Sequence, residues 1–235
     1  MRTSIIRTLP AALAAIAVGL SCAATASADA TWNNDFRIGS YTVFYRASAD
    51  DLNGPYVPPG VNFDVENLET LYLGYLRRLS PHFNFELALG VPPVSKTKGS
   101  GPAFLGSAPY DGQEISTVKW FAPTALIEYN FLDESSPVRP FVGVGINYTY
   151  FYDRDSTAAG DAVSGGPTKI SLPASIGPAA TVGVTWRPAP HWDVNASYSA
   201  SKVNARLTAD TAGEIRTTHI EFNPQALILS VGYAF

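Results

Sequence analysis

The residues that most often carry catalysis or bind metals are few and scattered in this sequence of 235 residues. His82, His191 and His219 stand far apart, and Cys22 is the single cysteine. A metal site needs several clustered ligands, and covalent catalysis needs a nucleophile beside a base; neither spacing occurs. We therefore expect no enzymatic activity, no metal and no cofactor. The net charge is -4, so basic residues do not outnumber acidic ones, which argues against a nucleic-acid partner.

Charged residues form one group whose spacing suggests a shared site. Each of them lies on a predicted β-strand, near the strand end that we expect at the periplasmic side. Their side chains all lie on the strand face that points into the predicted barrel. Three cations and three anions at similar depth inside a narrow barrel would have to pair, because an unpaired buried charge costs several kcal/mol. We expect structural salt bridges that plug the lower lumen and leave no continuous water pore. The six residues are Arg37, Glu86, Glu128, Arg139, Arg187 and Asp193.

The element that would position such a group is a β-strand, and the last 13 residues, 223–235, show the pattern. Leu227, Leu229 and Tyr233 share one parity, whereas Ser230 and Gly232 share the other. Large apolar residues alternating with small ones indicate a strand with one face in lipid and one in a crowded lumen. Charged residues make up only 15% of the chain, below the roughly 25% of soluble domains.

Seven further segments show the same alternation. Short turns and long polar loops alternate between them, and every segment reaches the roughly ten residues that a tilted strand needs to cross a membrane. The pattern predicts an all-β fold: an eight-stranded antiparallel transmembrane β-barrel with up-and-down connections, short periplasmic turns and longer extracellular loops. The alternative is a soluble eight-stranded barrel of lipocalin type, with the large apolar parity inside and a charged parity outside. The predicted strands are 35–46, 69–79, 84–96, 116–132, 138–153, 169–187, 192–208 and 217–235.

The N-terminal residues 1–28 predict a secretory signal peptide. Arg2 and Arg7 precede an apolar stretch over 10–20, and Ala26-Ser27-Ala28 forms an A-x-A cleavage site. Cleavage before Cys22, as in a lipoprotein, is the alternative. Removal of the signal takes away the only cysteine and leaves residues 29–235 as a single barrel domain. We expect a multi-pass protein of the outer membrane.

The run F-A-P-T-A-L-I-E-Y-N-F-L-D-E-S-S-P-V-R-P-F-V-G-V-G-I-N-Y-T over 121–149 resembles the OmpW family of outer-membrane proteins. Further similarity lies in F-R-I-G-S-Y-T-V near the start and G-Y-A-F at the end. The resemblance implies a narrow, largely apolar lumen through which small hydrophobic molecules cross the outer membrane. The chain departs from the family pattern at Ala88, at Ile176 within Ser175-Ile176-Gly177, and at Gln225.

Two sets of residues are candidates for such a route. Three prolines cannot donate the backbone hydrogen bonds that pair neighbouring strands: Pro92, Pro93 and Pro123. They either weaken the lateral wall of the barrel or end strand pairing above the membrane. The candidates for the upper lumen are Ala88, Gly90, Thr124, Leu126, Gly143, Gly145 and Ile176.

The sequence leaves two functions open. The first is a passive channel for small hydrophobic molecules with a charge-plugged periplasmic end and lateral exit. The second is a structural or surface-interaction barrel whose extracellular loops bind partners. We expect contacts with outer-membrane lipid and lipopolysaccharide, with small apolar solutes, and with the barrel assembly machinery through the C-terminal strand, which ends on Phe235.

Overall fold

The computed structural model describes residues 33–105 and 108–235, so the predicted signal peptide lies outside the described residues. The described chain consists almost entirely of β-strands, with one short helix. The elements are β1 (Asn34–Tyr45), β2 (Ser48–Ala49), β3 (Asn62–Val65), β4 (Leu68–Arg78), β5 (Phe83–Gly90), β6 (Val94–Ser100), β7 (Phe104–Leu105), β8 (Ala108–Pro109), β9 (Glu114–Phe121), β10 (Thr124–Asn130), β11 (Val138–Ser156), α1 (Ala158–Ser164), β12 (Thr168–Ser171), β13 (Ser175–Ala189), β14 (Trp192–Ser201), β15 (Asn204–Thr211), β16 (Glu214–Glu221) and β17 (Pro224–Ala234).

Eight of these strands close into the predicted antiparallel barrel. Their order is β1, β4, β5, β10, β11, β13, β14 and β17, and β17 pairs with β1 from Asp35 opposite Ala234 to Tyr45 opposite Pro224. The closure gives the apolar last strand a partner on both sides and leaves no open edge. The fold class predicted from the alternation is therefore confirmed.

The lower part of the barrel turns large apolar side chains outward. Val144 and Ile146 are 68% and 60% exposed, whereas Asn147 on the opposite face is buried. Aromatic rings gather at the periplasmic end of this apolar belt: Phe36 stacks on Phe235 at 5.6 Å, and Trp192 meets Tyr233 at 5.1 Å. Rings at this position form the interfacial girdle of membrane barrels.

Above the membrane, most of the predicted loops and strand ends form two further sheets. The first extracellular sheet contains β3, β6, β9 and the upper part of β11. The second extracellular sheet contains β12, β15, β16 and β2. Of the eight barrel strands, β11 alone runs without interruption from one half into the other; the remaining ones are broken at similar height, for example at Pro92-Pro93, Ala122-Pro123 and Phe222-Asn223.

The polarity of the wall reverses between the two halves. In the extracellular half the large apolar side chains point inward and form a core, and charged side chains such as Lys96 and Lys119 point outward. The soluble-barrel pattern weighed for the sequence thus describes this half, and the membrane pattern describes the other. The buried core residues are Val43, Phe63, Val118, Trp120, Phe151, Leu172, Val203, Ala205, Ile220 and Phe222.

Some breaks also shift the alternation by one residue. Glu86 faces inward from β5, an even position, whereas Thr97 faces inward from β6, an odd one. The same change separates Leu172 from Ala179 on either side of the link between β12 and β13. A single uninterrupted strand over 84–96 or 169–187, as predicted, would have kept one parity throughout.

Candidate functional site

An apolar vestibule opens at the extracellular end. It encloses about 1190 Å³ of empty space, mouths included, between the loop after β2, helix α1 and the β15–β16 hairpin. Arg216 holds this rim together: its guanidinium donates to the Pro55 carbonyl at 3.2 Å, the Thr211 hydroxyl at 3.2 Å and the Ser164 carbonyl at 3.1 Å. Burial against the same rim raises the pKa of Tyr110 to about 12.

A narrow apolar chamber lies below the vestibule, between the two extracellular sheets. Its space measures about 720 Å³ with the open mouths included, and aromatic side chains enter it from both sides. A small polar cluster interrupts the apolar wall: the Trp120 indole N–H donates to the Ser95 hydroxyl at 2.8 Å, and the Tyr45 hydroxyl lies 3.4 Å from the same oxygen. The aromatic lining consists of Tyr41, Tyr45, Phe63, Trp120, Phe151 and Phe222.

The chamber floor is polar and tightly packed. The Asn147 side chain donates to the Thr124 hydroxyl at 2.8 Å and accepts from the Thr149 hydroxyl at 2.7 Å. A smaller space of about 310 Å³ lies next to it, lined by Thr124, Leu126 and small residues of β13 and β14. Tyr41 faces both spaces and packs over Gly90, where a Cβ would lie 2.9 Å from its ring.

The barrel wall is interrupted at the height of the chamber floor. The β5–β10 ladder ends with Ala88 opposite Thr124, and the β6–β9 ladder begins with Val94 opposite Lys119, so residues 89–93 and 120–123 form no ladder pair with each other. The outer neighbours hold these segments: the Val91 N–H donates to the Leu71 carbonyl at 2.9 Å. Pro92, Pro93 and Pro123, which have no backbone N–H to donate, lie within this wall gap.

A second seam separates the two extracellular sheets on the far side of β11. The β11–β13 ladder ends with Thr149 opposite Ser175, and above it β11 pairs with β9 while β12 pairs with β15. Arg154 bridges this seam by donating to the Phe151 carbonyl at 3.3 Å and to the Leu172 carbonyl at 3.0 Å. The second seam therefore differs from the wall gap, because the Arg154 guanidinium bridges the seam.

An ion triad crosses the lower lumen. Arg37 Nε lies 2.9 Å from Asp35 Oδ2 and 3.4 Å from Asp193 Oδ1, and Asp193 is fully buried. Gly232 on β17 lies in register between Arg37 on β1 and Asp193 on β14. A Cβ there would lie 2.6 Å from Asp35 Oδ1 and 2.7 Å from Asp193 Oδ1, so the glycine makes room for the triad.

The other predicted plug residues are arranged differently from the expectation. Glu86 accepts a hydrogen bond from the Tyr72 hydroxyl, and Glu128, 1% exposed, lies beside it. Among residues 33–105 and 108–235 no carboxylate pairs with Arg139, which donates to the Pro81 carbonyl at 2.6 Å and the Leu132 carbonyl at 2.9 Å. Arg187 lines the periplasmic mouth together with Arg78 and Arg139, and its buried Nε has no hydrogen-bond partner among the residues that the structure describes. The predicted pairing of three cations with three carboxylates is therefore wrong. Arg139 instead lies within hydrogen-bond distance of carbonyl oxygens in the neighbouring turns.

The predicted lumen residues face inward with one exception. Leu126 and Thr124 line the small space, and Ala88, Gly90, Gly143 and Gly145 lie on the inward faces of β5 and β11. A Cβ at Gly145 would lie 1.8 Å from the Ala125 carbonyl oxygen, so this wall is packed rather than open. Ile176 is a correction: it is 74% exposed on the outer face of β13, and Ser175 and Ala179 are the buried residues beside it.

Sequence reasoning missed most of the chamber. Val118 and Trp120 share the even parity of Thr124 and Leu126, which the predicted strand 116–132 turns inward, so the alternation was a usable signal for them. Asp35 and Tyr72 were also missed as members of the charged cluster. Asp35 shares the parity of Arg37, so the alternation could have found it.

Two general features complete the description of residues 33–105 and 108–235. No helix among them is long and apolar enough to span a membrane. No group of three or more His, Cys, Asp or Glu residues in this part of the chain is placed to hold a metal ion.

A closed eight-stranded barrel with an apolar outer belt defines an outer-membrane β-barrel protein. The OmpW family model matches residues 35–235, so the chain belongs to the OmpW family, as the resemblance implied. Outer membrane protein W of Vibrio cholerae serotype O1 is 31% identical over 165 residues, 70% of this chain and 72% of the relative. The dibenzothiophene metabolism operon protein PahQ of Pseudomonas aeruginosa is 32% identical over 132 residues, 54% and 58% of the two chains. The crystal structure of the outer membrane protein OprG from Pseudomonas aeruginosa superposes with a TM-score of 0.78 at 21% identity, covering 87% of this chain and 96% of that one.

Proposed function

We propose that this barrel is a passive route by which small hydrophobic molecules enter the outer membrane from the extracellular side. The observation that carries the proposal is an apolar chamber that stands directly above a charged lower lumen and beside a gap in the wall. A solute at the chamber floor faces buried charges below and, through the wall gap, the upper edge of the apolar belt at the side. For an apolar molecule the side is the favourable direction, because entering a charged, crowded lumen would desolvate unpaired polar groups.

The entrance and the chamber belong to one path. Phe63, Thr97, Ser116 and Leu207 line both the vestibule and the chamber. Aromatic side chains narrow the chamber, so we expect Tyr41 and Trp120 to change rotamer as a solute passes. Burial of apolar surface, about 25 cal/mol per Å², is the driving force at each stage.

The exit in this proposal is the wall gap at Pro92, Pro93 and Pro123. Trp120 and Ala122, which border the gap, also line the chamber. The plug of Arg37, Asp35 and Asp193 has a complementary role: it blocks the axial route to ions while the lateral route serves apolar solutes. The name of the relative PahQ, which refers to dibenzothiophene metabolism, is consistent with an apolar cargo for the family.

The lateral exit can be tested by bridging the wall gap. Continued across the gap, the β5–β10 register would place Val91 opposite Phe121, and their exchange for Cys followed by a short bis-maleimide would close it. The matched control bridges Leu87 and Ala125, which already pair on the same two strands. In cells lacking the chromosomal copy, we expect uptake of N-phenylnaphthylamine to fall to the rate without the protein only when the gap is bridged.

Two results would overturn parts of the proposal. Uptake that is unchanged by the Val91–Phe121 bridge would exclude the lateral exit. Uptake that is no faster with the native chain than without it would exclude transport and favour the alternative, a surface-interaction barrel. We propose in addition that residues 1–28 direct export and that the last strand is the segment bound by the barrel assembly machinery.

A further inference from the structure

Exposed cations lie on the outer face of the chain where the barrel strands pass into the second extracellular sheet. Arg46 follows β1 and Lys202 follows β14, and each lies two residues beyond an outward-facing residue of the barrel, Phe44 and Ala200. Arg206 lies on the same face of β15, four residues and therefore two steps of the alternation beyond Lys202. Arg46 and Lys202 therefore lie where the apolar belt ends and the lipid head groups begin, and Arg206 lies roughly 13 Å farther out.

The register brings Arg46 and Lys202 into one row. Asn223 stands between them, because the hydrogen bond from the Phe222 N–H to the Val203 carbonyl, 2.9 Å, continues the pairing of β14 with β17. On the other side, Ala49 opposite Ile220 continues the pairing of β1 with β17. Two strand spacings separate the cations by about 10 Å, which their long side chains can span around one phosphate.

The first extracellular sheet provides the contrast. Its outward lysines are each paired: Lys96 with Glu114 at 2.8 Å, Lys98 with Glu66 at 2.7 Å, and Lys119 with Asp153 at 2.9 Å. The hydrogen bond to Glu114 raises the pKa of Lys96, and Asp153 does the same for Lys119.

The cations of the second sheet are not neutralised in this way. Within the described ranges, Arg46, Lys202 and Arg206 have no carboxylate within 4 Å. The nearest acidic neighbour by register is Glu221, opposite Asn204, and its carboxylate accepts from the Asn223 side chain at 3.5 Å. The three cations thus remain available to an external anion.

We propose that Arg46, Lys202 and Arg206, with the Asn223 amide, bind a phosphate group of lipid A, the membrane anchor of lipopolysaccharide. Arginine presents a planar fork of donors that matches phosphate oxygens, and lysine adds a compact charge. The position at the end of the apolar belt fits a phosphate that is attached to acyl chains. In the barrel order this row is centred on β17, across the lumen from the wall gap between β5 and β10.

The experiment compares two triple variants of the full chain in detergent by native mass spectrometry with lipid A. The variant R46Q/K202Q/R206Q removes three unpaired cations, and the control K96Q/K98Q/K119Q removes three paired ones. Since each cation near an anionic lipid surface contributes about 1 kcal/mol, we expect the first variant to bind about 100-fold more weakly. We expect the control and the native chain to bind alike, and dephosphorylated lipid A to bind weakly to all three.

Equal weakening in both triple variants would show a general charge effect and overturn the site. Equal binding of dephosphorylated lipid A would overturn the phosphate as the group recognised. If the triple variant does not fold, judged by heat-modifiable migration in gels, the single variants R46Q, K202Q and R206Q take its place. Each is expected to weaken binding about fivefold, and unchanged binding in all three would refute the proposal.

Discussion

Replacement of Gly232 by Ala tests the ion triad in the lower lumen most directly. The new methyl group would lie 2.6 Å from Asp35 Oδ1 and 2.7 Å from Asp193 Oδ1, closer than van der Waals contact allows. Both carboxylates would have to withdraw, and Arg37 would lose at least one of its contacts at 2.9 and 3.4 Å.

The expected cost follows from the burial of these groups. Breaking a buried ion pair by displacing one partner costs about 3–5 kcal/mol, because the remaining charge stays buried without compensation. Some of this is regained if the side chains move along the lumen, so we expect Gly232→Ala to lower the free energy of unfolding by about 3 kcal/mol. The measurement is urea unfolding from lipid vesicles, followed by tryptophan fluorescence.

A control on the same strand and face separates the triad from general disturbance of β17. The Ser230 hydroxyl is buried and has no hydrogen-bond partner within the described part of the chain, so Ser230→Ala should change stability by less than about 1 kcal/mol. A second control places Gly232→Ala in a background with Asp35→Asn, Arg37→Met and Asp193→Asn, where its cost should shrink. If Gly232→Ala leaves the native chain as stable as before, the triad does not depend on the space above this glycine.

Three further changes have defined outcomes. Tyr72→Phe removes the hydroxyl that donates to Glu86, and a buried acceptor without a donor costs about 1–3 kcal/mol, so urea unfolding from vesicles should occur at a lower urea concentration. An unchanged midpoint would contradict the hydrogen bond between Tyr72 and Glu86. Arg154→Met should open the second seam, so apolar uptake should survive the Val91–Phe121 bridge in this background; uptake that is still blocked would mean that Arg154 does not close that side. Arg216→Met should loosen the vestibule rim, and limited proteolysis of intact cells should then cleave residues 50–61 faster. Equal cleavage of the variant and the native chain would show that other contacts hold this loop.

The membrane barrel could be predicted from the sequence because each of its strands alternates residues that face lipid with residues that face the lumen. On β17 and on the lower part of β11, large residues face a uniform lipid environment, and alternation alone assigns the faces. The charged residues Arg37 and Asp193 could be placed in the lumen for the same reason. Their partners could not all be inferred, since Arg139 is satisfied by carbonyl groups of turns whose geometry no side-chain pattern records.

The extracellular half was less predictable because the rule changes where lipid ends. Val118 and Trp120 face inward there, although large apolar residues face outward a few residues away on β10. The sequence carries no marker of the height at which this reversal occurs. Ile176 was misplaced for a different reason: it was assigned to the lumen by comparison with a family pattern, whereas the parity of Val182 on the same strand places it outside.

The break between β5 and β6 also sets which changes in length the chain can accept. Because inward positions change from even to odd across Pro92-Pro93, the break contains one residue more than a continuous strand would need. Deletion of a single residue there would strain the link or rotate β6 by one position, turning Lys96 and Lys98 toward Trp120 in the chamber. Deletion or insertion of two residues would keep every side chain on its present face. Length variation at this point is therefore expected in steps of two.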